Sequence, residues 1–138
     1  MKSRVLFVCI ENSCRSQMAE GFAWKWGKDV LHPWSAGSRP SGKINPTAIQ
    51  VMNEIGVNLE LQSSKNLSEL PKIKWDTVIT MGCADACPFV SSKSKEDWDI
   101  PDPKELPLHE FRRVRDLIET KVRSLIGRIK AEESSLTS

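Results

Sequence analysis

The sequence predicts an α/β domain: a small parallel sheet with helices on both faces. Two observations lead there. Apolar, β-branched runs of strand length alternate with segments of helical period. The residues with chemistry in them follow those runs, at the carboxyl ends of strands, where open parallel sheets bind ligands. Cys9, Met81 to Cys83 and the loop after Trp98 all take such positions, so residues remote in sequence can meet at one site.

The elements follow in order. "RVLFVC" (4 to 9) reads as a buried strand. Ser16 to Trp26 reads as a helix, with Met18, Phe22 and Trp26 on one face and Gly27 as its stop. "HPWSAGS" (32 to 38) reads as a short strand entering a loop. "NPTAIQVMNEIG" (45 to 56) is a helix with Asn45 as N-cap, Pro46 at the first position and Gly56 past the end. "WDTVITM" (75 to 81) is a strand. Residues 82 to 107 hold four of the eight prolines and read as long loops with a short strand near Trp98. Phe111, Val114, Ile118, Val122, Leu125 and Ile129 step along one face of a last long helix. The 138 residues suit one domain over 1–132, with 133–138 as a frayed tail.

Composition excludes several classes. With 20 basic and 18 acidic residues, net +2, the chain lacks the excess basicity of a nucleic-acid surface. The longest apolar run, Val5 to Ile10, is too short to span a bilayer, and no signal peptide is expected. A cytoplasmic monomer is the expectation. In that reducing compartment the four cysteines are reactive or metal-binding before they are structural disulfides.

The stretch "VLFVCIENSCRSQMAEG" joins a strand to a helix through Cys9, Ile10, Glu11, Asn12, Ser13, Cys14 and Arg15. Such a loop points N–H groups at its centre, and the helix N-terminus adds positive potential, so it forms an anion nest. A thiol there ionises readily. The fork of Arg15 suits two oxygens of a tetrahedral oxyanion. Ser16 could bond the Cys9 sulfur, and Asn12 could brace the loop. The expected chemistry is thiolate attack on the central atom of a bound oxyanion. A buried strand cysteine beside a surface arginine is the bland alternative; the strand before and the helix after favour the site.

A leaving oxygen needs a proton. "DIPDP" offers Asp99 and Asp102 in a loop stiffened by Pro101 and Pro103, and spacing alone does not choose between a solvated turn and an acid. "TMGCADACP" holds Cys83 and Cys87. Two thiols that become a disulfide supply two electrons, so a relay Cys9, Cys83, Cys87 has its parts in place. Which of Cys83, Cys87 or an external thiol attacks first stays open, as does inert packing of both. Zinc lacks ligand spacing with His32 and His109.

These segments, with "SAGS", "EDWDIPDP" and the terminal helix, resemble the low-molecular-weight protein tyrosine phosphatase fold, and most of all the arsenate reductases built on it. The resemblance covers nearly the whole chain. It implies a flavodoxin-like four-stranded parallel sheet, Cys9 as nucleophile, Arg15 on the oxyanion, Ser16 favouring the thiolate and Asp102 as the acid. "NSCRSQ" resembles the thioredoxin-coupled reductases. "MGCADACP" resembles those that use a small thiol, mycothiol or glutathione, with a glutaredoxin-type partner. Either implies external electrons and no tightly bound cofactor. Some thioredoxin-coupled members hold potassium near residues that match Asn12 and Glu20. Arsenate or phosphate is the implied ligand; a phosphotyrosine substrate is disfavoured by "RSQ" and by "KELP" after Asp102–Pro103, which puts no aromatic at the rim. An arsenite sensor without turnover is the third reading. Trp26, Trp75 and Trp98 are expected in packing, Trp34 beside a helix, and Arg112, Arg113 and Arg115 on a solvated face.

Overall fold

A computed structural model describes residues 2–82 and 90–137. Its elements are β1 (Ser3–Cys9), α1 (Arg15–Gly27), β2 (Leu31–Gly37), α2 (Pro46–Asn53), β3 (Trp75–Met81), β4 (Ser92–Trp98) and α3 (Leu108–Thr137), with a 3-10 turn at Leu67–Glu69. The four strands form one parallel sheet in the order β2-β1-β3-β4.

The register explains why a site forms. Cys9 pairs with Gly37, Val8 with Thr80 and Met81 with Trp98. All four strands therefore end along one edge, and the loops that leave them share one rim.

Alternate side chains of β1 separate two cores. Val5 and Phe7 pack with Met18 and Phe22 of α1, Val51 and Met52 of α2, and Phe111, Val114, Ile118 and Val122 of α3. Leu6 and Val8 face the other way and pack with Ala36, Trp75 and Val78. There the described cover is Leu67, Leu70 and Ile73, around the 3-10 turn, with Val90. No helix among the described residues is long and apolar enough to cross a membrane.

Several local expectations hold. Asn45 caps α2, its Oδ1 accepting from the Thr47 and Ala48 N–H groups at 2.8 and 3.4 Å. Trp75 and Trp98 are buried. Other expectations sharpen or change. The short strand expected near Trp98, within residues otherwise read as loop, is a seven-residue edge strand, "SKSKEDW". Its polar side chains lack a strand signal, but pairing with β3 satisfies its backbone. The segment read as a frayed tail is helical to Thr137, since "AEESSLT" contains no helix breaker.

Trp26 is exposed rather than packed inside. It lies under the Arg123 guanidinium, 4.2 Å from the ring centre, and its Nε1 donates to Glu119 at 3.0 Å. Arg115 is buried, not solvated. Its Nη1 donates to the Val51 carbonyl at 2.9 Å and to Glu54 at 2.7 Å, which ties α3 to α2. Trp34 is half-buried on the sheet, stacked on His32 at 3.9 Å and edge-on to Trp75 at 5.1 Å.

Candidate active site

Cys9 ends β1 and is 3% exposed. The loop after it turns sharply, with Asn12 at φ +50. Its carbonyls all face away from the centre. Ile10 O accepts from the Arg39 N–H at 2.9 Å, Glu11 O from Ser41 at 3.0 Å, Asn12 O from Gln17 Nε2 at 3.0 Å and Ser13 O from Asn45 at 3.0 Å. In a trans peptide the N–H opposes the carbonyl. The N–H groups of residues 11 to 14 are thus turned inward, at the N-terminus of α1. Inward N–H groups of this kind are what an anion nest needs.

β2 must approach that loop closely. A Cβ on Gly37 would stand 2.5 Å from Ile10 O, so only glycine fits at the end of "SAG".

The thiol has a directed donor. Cys9 Sγ lies 2.8 Å from Ser16 Oγ. Asn12 Nδ2 donates to Ser16 Oγ at 2.7 Å, while Asn12 Oδ1 accepts from the Lys65 backbone N–H at 2.9 Å and from Gln17 Nε2 at 2.9 Å. The Lys65 donor fixes which end of the amide faces Ser16. With its lone pair facing Asn12, the Ser16 hydroxyl turns its proton to sulfur, where it stabilises an anion.

Arg15 and Asp102 complete the pocket. Arg15 is buried; its Nη1 donates to the Ile100 carbonyl at 3.0 Å, and its Nη2 lies 3.7 Å from Asp102 Oδ2. The guanidinium therefore braces the loop that carries Asp102 as well as lining the cavity. A small cavity of ≈ 60 Å³ is lined by Cys9, Ile10, Glu11, Ser13, Cys14, Arg15 and Asp102. That is roughly four times what one water needs, which suits an ion of four oxygens. The Asp102 carboxyl is half-exposed at the mouth. Asp99 is exposed and does not line the cavity.

Cys14 is 4% exposed, and burial pushes its thiol up to about 12, against a smaller opposing effect of the Ser13 hydroxyl. It stays protonated. Cys83 and Cys87 lie outside the described residues.

Asn12 and Glu20, the residues that match the family's potassium position, both carry protein partners. Asn12 Oδ1 already accepts two N–H bonds, its full complement. Glu20 is buried on protein donors, Ser35 Oγ at 2.5 Å and Trp24 Nε1 at 3.2 Å. His32 stacks on Trp34, and His109 is exposed beside Glu110. No cluster of three or more His, Cys, Asp or Glu among the described residues has the arrangement of a metal site.

Sequence reasoning missed three supports. Gln17 reaches Asn12 and the Ser63 carbonyl, and Gln62 bonds back to it, so "RSQ" ties the loop to residues 62–65. The Ile100 carbonyl, 85 residues from Arg15, left no sequence signal. Gly82 has φ +69, and a Cβ there would collide with the Arg15 guanidinium. The "MG" after β3 was the one visible hint.

The chain is 39% identical to a glutaredoxin arsenate reductase of Synechocystis over 129 residues, 91% of this chain and 98% of that protein. It is 40% identical to arsenate reductase 2 of Staphylococcus epidermidis, over 89% of this chain and 95% of that one. The fold matches a solved arsenate reductase in the phosphate binding state with TM-score 0.81 and 37% identity, covering 94% of this chain and 99% of the other. Residues 4–135 match the family described as low molecular weight phosphotyrosine protein phosphatase. With that span and a thiol, a guanidinium and a carboxyl gathered around one cavity, the chain belongs to the low molecular weight phosphotyrosine protein phosphatase family.

Proposed function

We propose that the protein reduces arsenate to arsenite, with Cys9 as nucleophile. The observation that carries this is the pocket: ≈ 60 Å³ and, among the described residues, no aromatic in its lining. It suits a bare tetrahedral oxyanion and offers a phosphotyrosine ring nothing to stack on. Relatives named arsenate reductase at 39–40% identity support the same reading.

The steps balance. Inward N–H groups and Arg15 hold arsenate. The Cys9 thiolate, steadied by Ser16, attacks arsenic(V) and forms an S–As bond. Asp102 protonates the departing oxygen, which leaves as water. A second thiolate then attacks the Cys9 sulfur. An S–S bond forms, the S–As pair goes to arsenic, and arsenite leaves; the two thiols supply the two electrons. Cys83 and Cys87 are the internal candidates, and a small external thiol is the alternative. Thioredoxin, or a small thiol with a glutaredoxin-type protein, would return the disulfide to thiols. No cofactor is required. A cytoplasmic monomer suits this chemistry, since that compartment keeps thiols reduced.

The same loop supports slow phosphoester hydrolysis as a side reaction, because thiolate attack on phosphorus needs the same nest, Arg15 and Asp102.

The test is a single-turnover thiol count. Fully reduced protein, free of added thiol, is mixed with arsenate. Loss of two thiols per arsenite formed is expected if the internal relay operates, and peptide mapping orders the cysteines. Arsenite formed only after a small thiol and glutaredoxin are added assigns the second thiol to the outside. No arsenite with any donor, alongside efficient turnover of a phosphotyrosine peptide, overturns the proposal.

A further inference from the structure

The loop that must attract an anion carries a carboxylate of its own. Glu11 lines the cavity together with Asp102, so two acidic residues border the pocket that holds one guanidinium. Glu11 is fixed at its backbone, where its carbonyl accepts from Ser41 N–H at 3.0 Å and Ser64 Oγ at 3.1 Å. One cation answers it. Lys104 Nζ donates to Glu11 Oε1 at 2.8 Å and Oε2 at 3.1 Å, across 93 residues of chain. The backbone N–H of the same Lys104 donates to Asp102 Oδ1 at 3.1 Å. A single residue thus touches both carboxylates at the mouth.

We propose that Lys104 is a positioning residue of the oxyanion site: paired with Glu11, it cancels the carboxylate at the pocket mouth and latches the Asp102 loop over Cys9. This rests on the oxyanion reading of the pocket and goes beyond it. The two ends of the latch belong to different strand-end loops, one after β1 and one after β4. Ile100 on Arg15 holds the inner part of the acid loop; Lys104 on Glu11 holds the outer part. The hydrogen bond from Lys104 to Glu11, with their mutual attraction, keeps the ammonium above its ordinary range. Asp102 and Glu105 add to that attraction.

The latch has two separable effects. Without Lys104, Glu11 presents a bare negative charge to an incoming dianion, and affinity falls. Without either partner, the acid loop loses its outer tether and proton delivery slows. Both side chains are partly exposed, so salt weakens both effects, and the two are told apart by readout: phosphate affinity for the first, the rate at saturating arsenate for the second.

Lys104→Met, Glu11→Gln and the double variant separate the two. Inorganic phosphate is the probe, titrated calorimetrically at low and high ionic strength; single-turnover arsenite formation is the second readout. Lys104→Met is expected to weaken phosphate binding roughly tenfold at low salt, with the loss shrinking at high salt. Glu11→Gln leaves the Lys104 charge unopposed and should bind phosphate more tightly than the wild type at low salt, and the double variant should return to within about twofold of the wild type, since both charges are gone. All three should form arsenite more slowly at saturating arsenate. A merely structural role predicts instead that the double variant binds no better than Lys104→Met. That result, or unchanged phosphate affinity of Lys104→Met at low salt, overturns the latch. Phosphate binding without arsenate reduction overturns the reductase reading alone and leaves the binding arm to decide the latch. A wild-type protein that binds neither anion overturns both.

Discussion

Asn12 Nδ2 donates to Ser16 Oγ at 2.7 Å, and this bond decides where the serine proton goes. The amide cannot turn over, because the Lys65 backbone N–H donates to its oxygen. A residue of the anion loop thus aims a hydroxyl at the nucleophile without touching it. Ser16→Ala should slow iodoacetamide alkylation of Cys9 at neutral pH, and arsenite formation with it, by roughly 10- to 100-fold, the usual effect of one hydrogen bond to a charged group. Asn12→Ala should lose less, since Ser16 remains but turns freely. Equal reactivity of Cys9 in all three proteins would remove Ser16 from the mechanism.

Cys14 should behave as the opposite of Cys9. Its thiol is pushed up to about 12 by burial, from an ordinary 9.0. Brief alkylation at neutral pH should label Cys9 and spare Cys14, as mass spectrometry of peptides would report. The sign for stability follows from proton uptake. Between about 9 and about 12 the folded chain holds a proton on Cys14 that the unfolded chain has lost. The contribution of Cys14 is complete below the unfolded value and is lost as pH rises toward the folded one. The denaturation midpoint of the wild type should therefore fall more steeply through that alkaline range than that of Cys14→Ala.

Gly82→Ala should disable the site without unfolding the chain. Positive φ costs a side chain about 1–2 kcal/mol, and the new methyl would also meet the Arg15 guanidinium. Displaced, Arg15 loses both the Ile100 carbonyl and its place over the pocket. The expected outcome is a small fall in melting temperature with at least tenfold weaker phosphate binding, about 1.4 kcal/mol or more. Unchanged binding would show that Arg15 tolerates the intrusion.

Arg115 holds α2 against α3. Arg115→Met leaves the Val51 carbonyl without its donor and should cost about 1–3 kcal/mol in urea unfolding. Glu54 adds a pH signature. Its carboxyl is held below the ordinary range, first by the hydrogen bond from Arg112 and further by Arg115. Its stabilisation is present above the ordinary carboxylate value and is lost as pH falls through the lowered one. Arg112→Met should flatten that acid limb; an identical limb would assign it to other carboxylates.

The loop from Cys9 to Arg15, β3 and the cap of α2 were legible in the chain because their signals are local. Each depends on residues a few positions apart: an apolar run, an Asn-Pro pair, a thiol and a guanidinium six positions apart. Asp102 is different: its local spacing did not tell a turn from an acid, only the family resemblance singled it out, and its place beside Arg15 is supplied by the fold. Period also correctly marked the apolar stripe of α3. It could not say which of Arg112, Arg113 and Arg115 would be buried, since all three are polar and adjacent. Their fate depends on α2, more than 50 residues earlier.

β4 makes the same point for a strand. "SKSKEDW" has no apolar alternation, and only the open edge of β3 makes it extended. Tertiary structure alone decided that Trp26 lies outside under Arg123, that Ile100 and Gly82 shape the seat of Arg15, and that Lys104 reaches Glu11. The reason is physical. Backbone preference and hydrophobic period act over one or two turns of chain, so sequence carries them openly. A carbonyl, a missing Cβ or an ion-pair partner acts only across the short distances that folding creates.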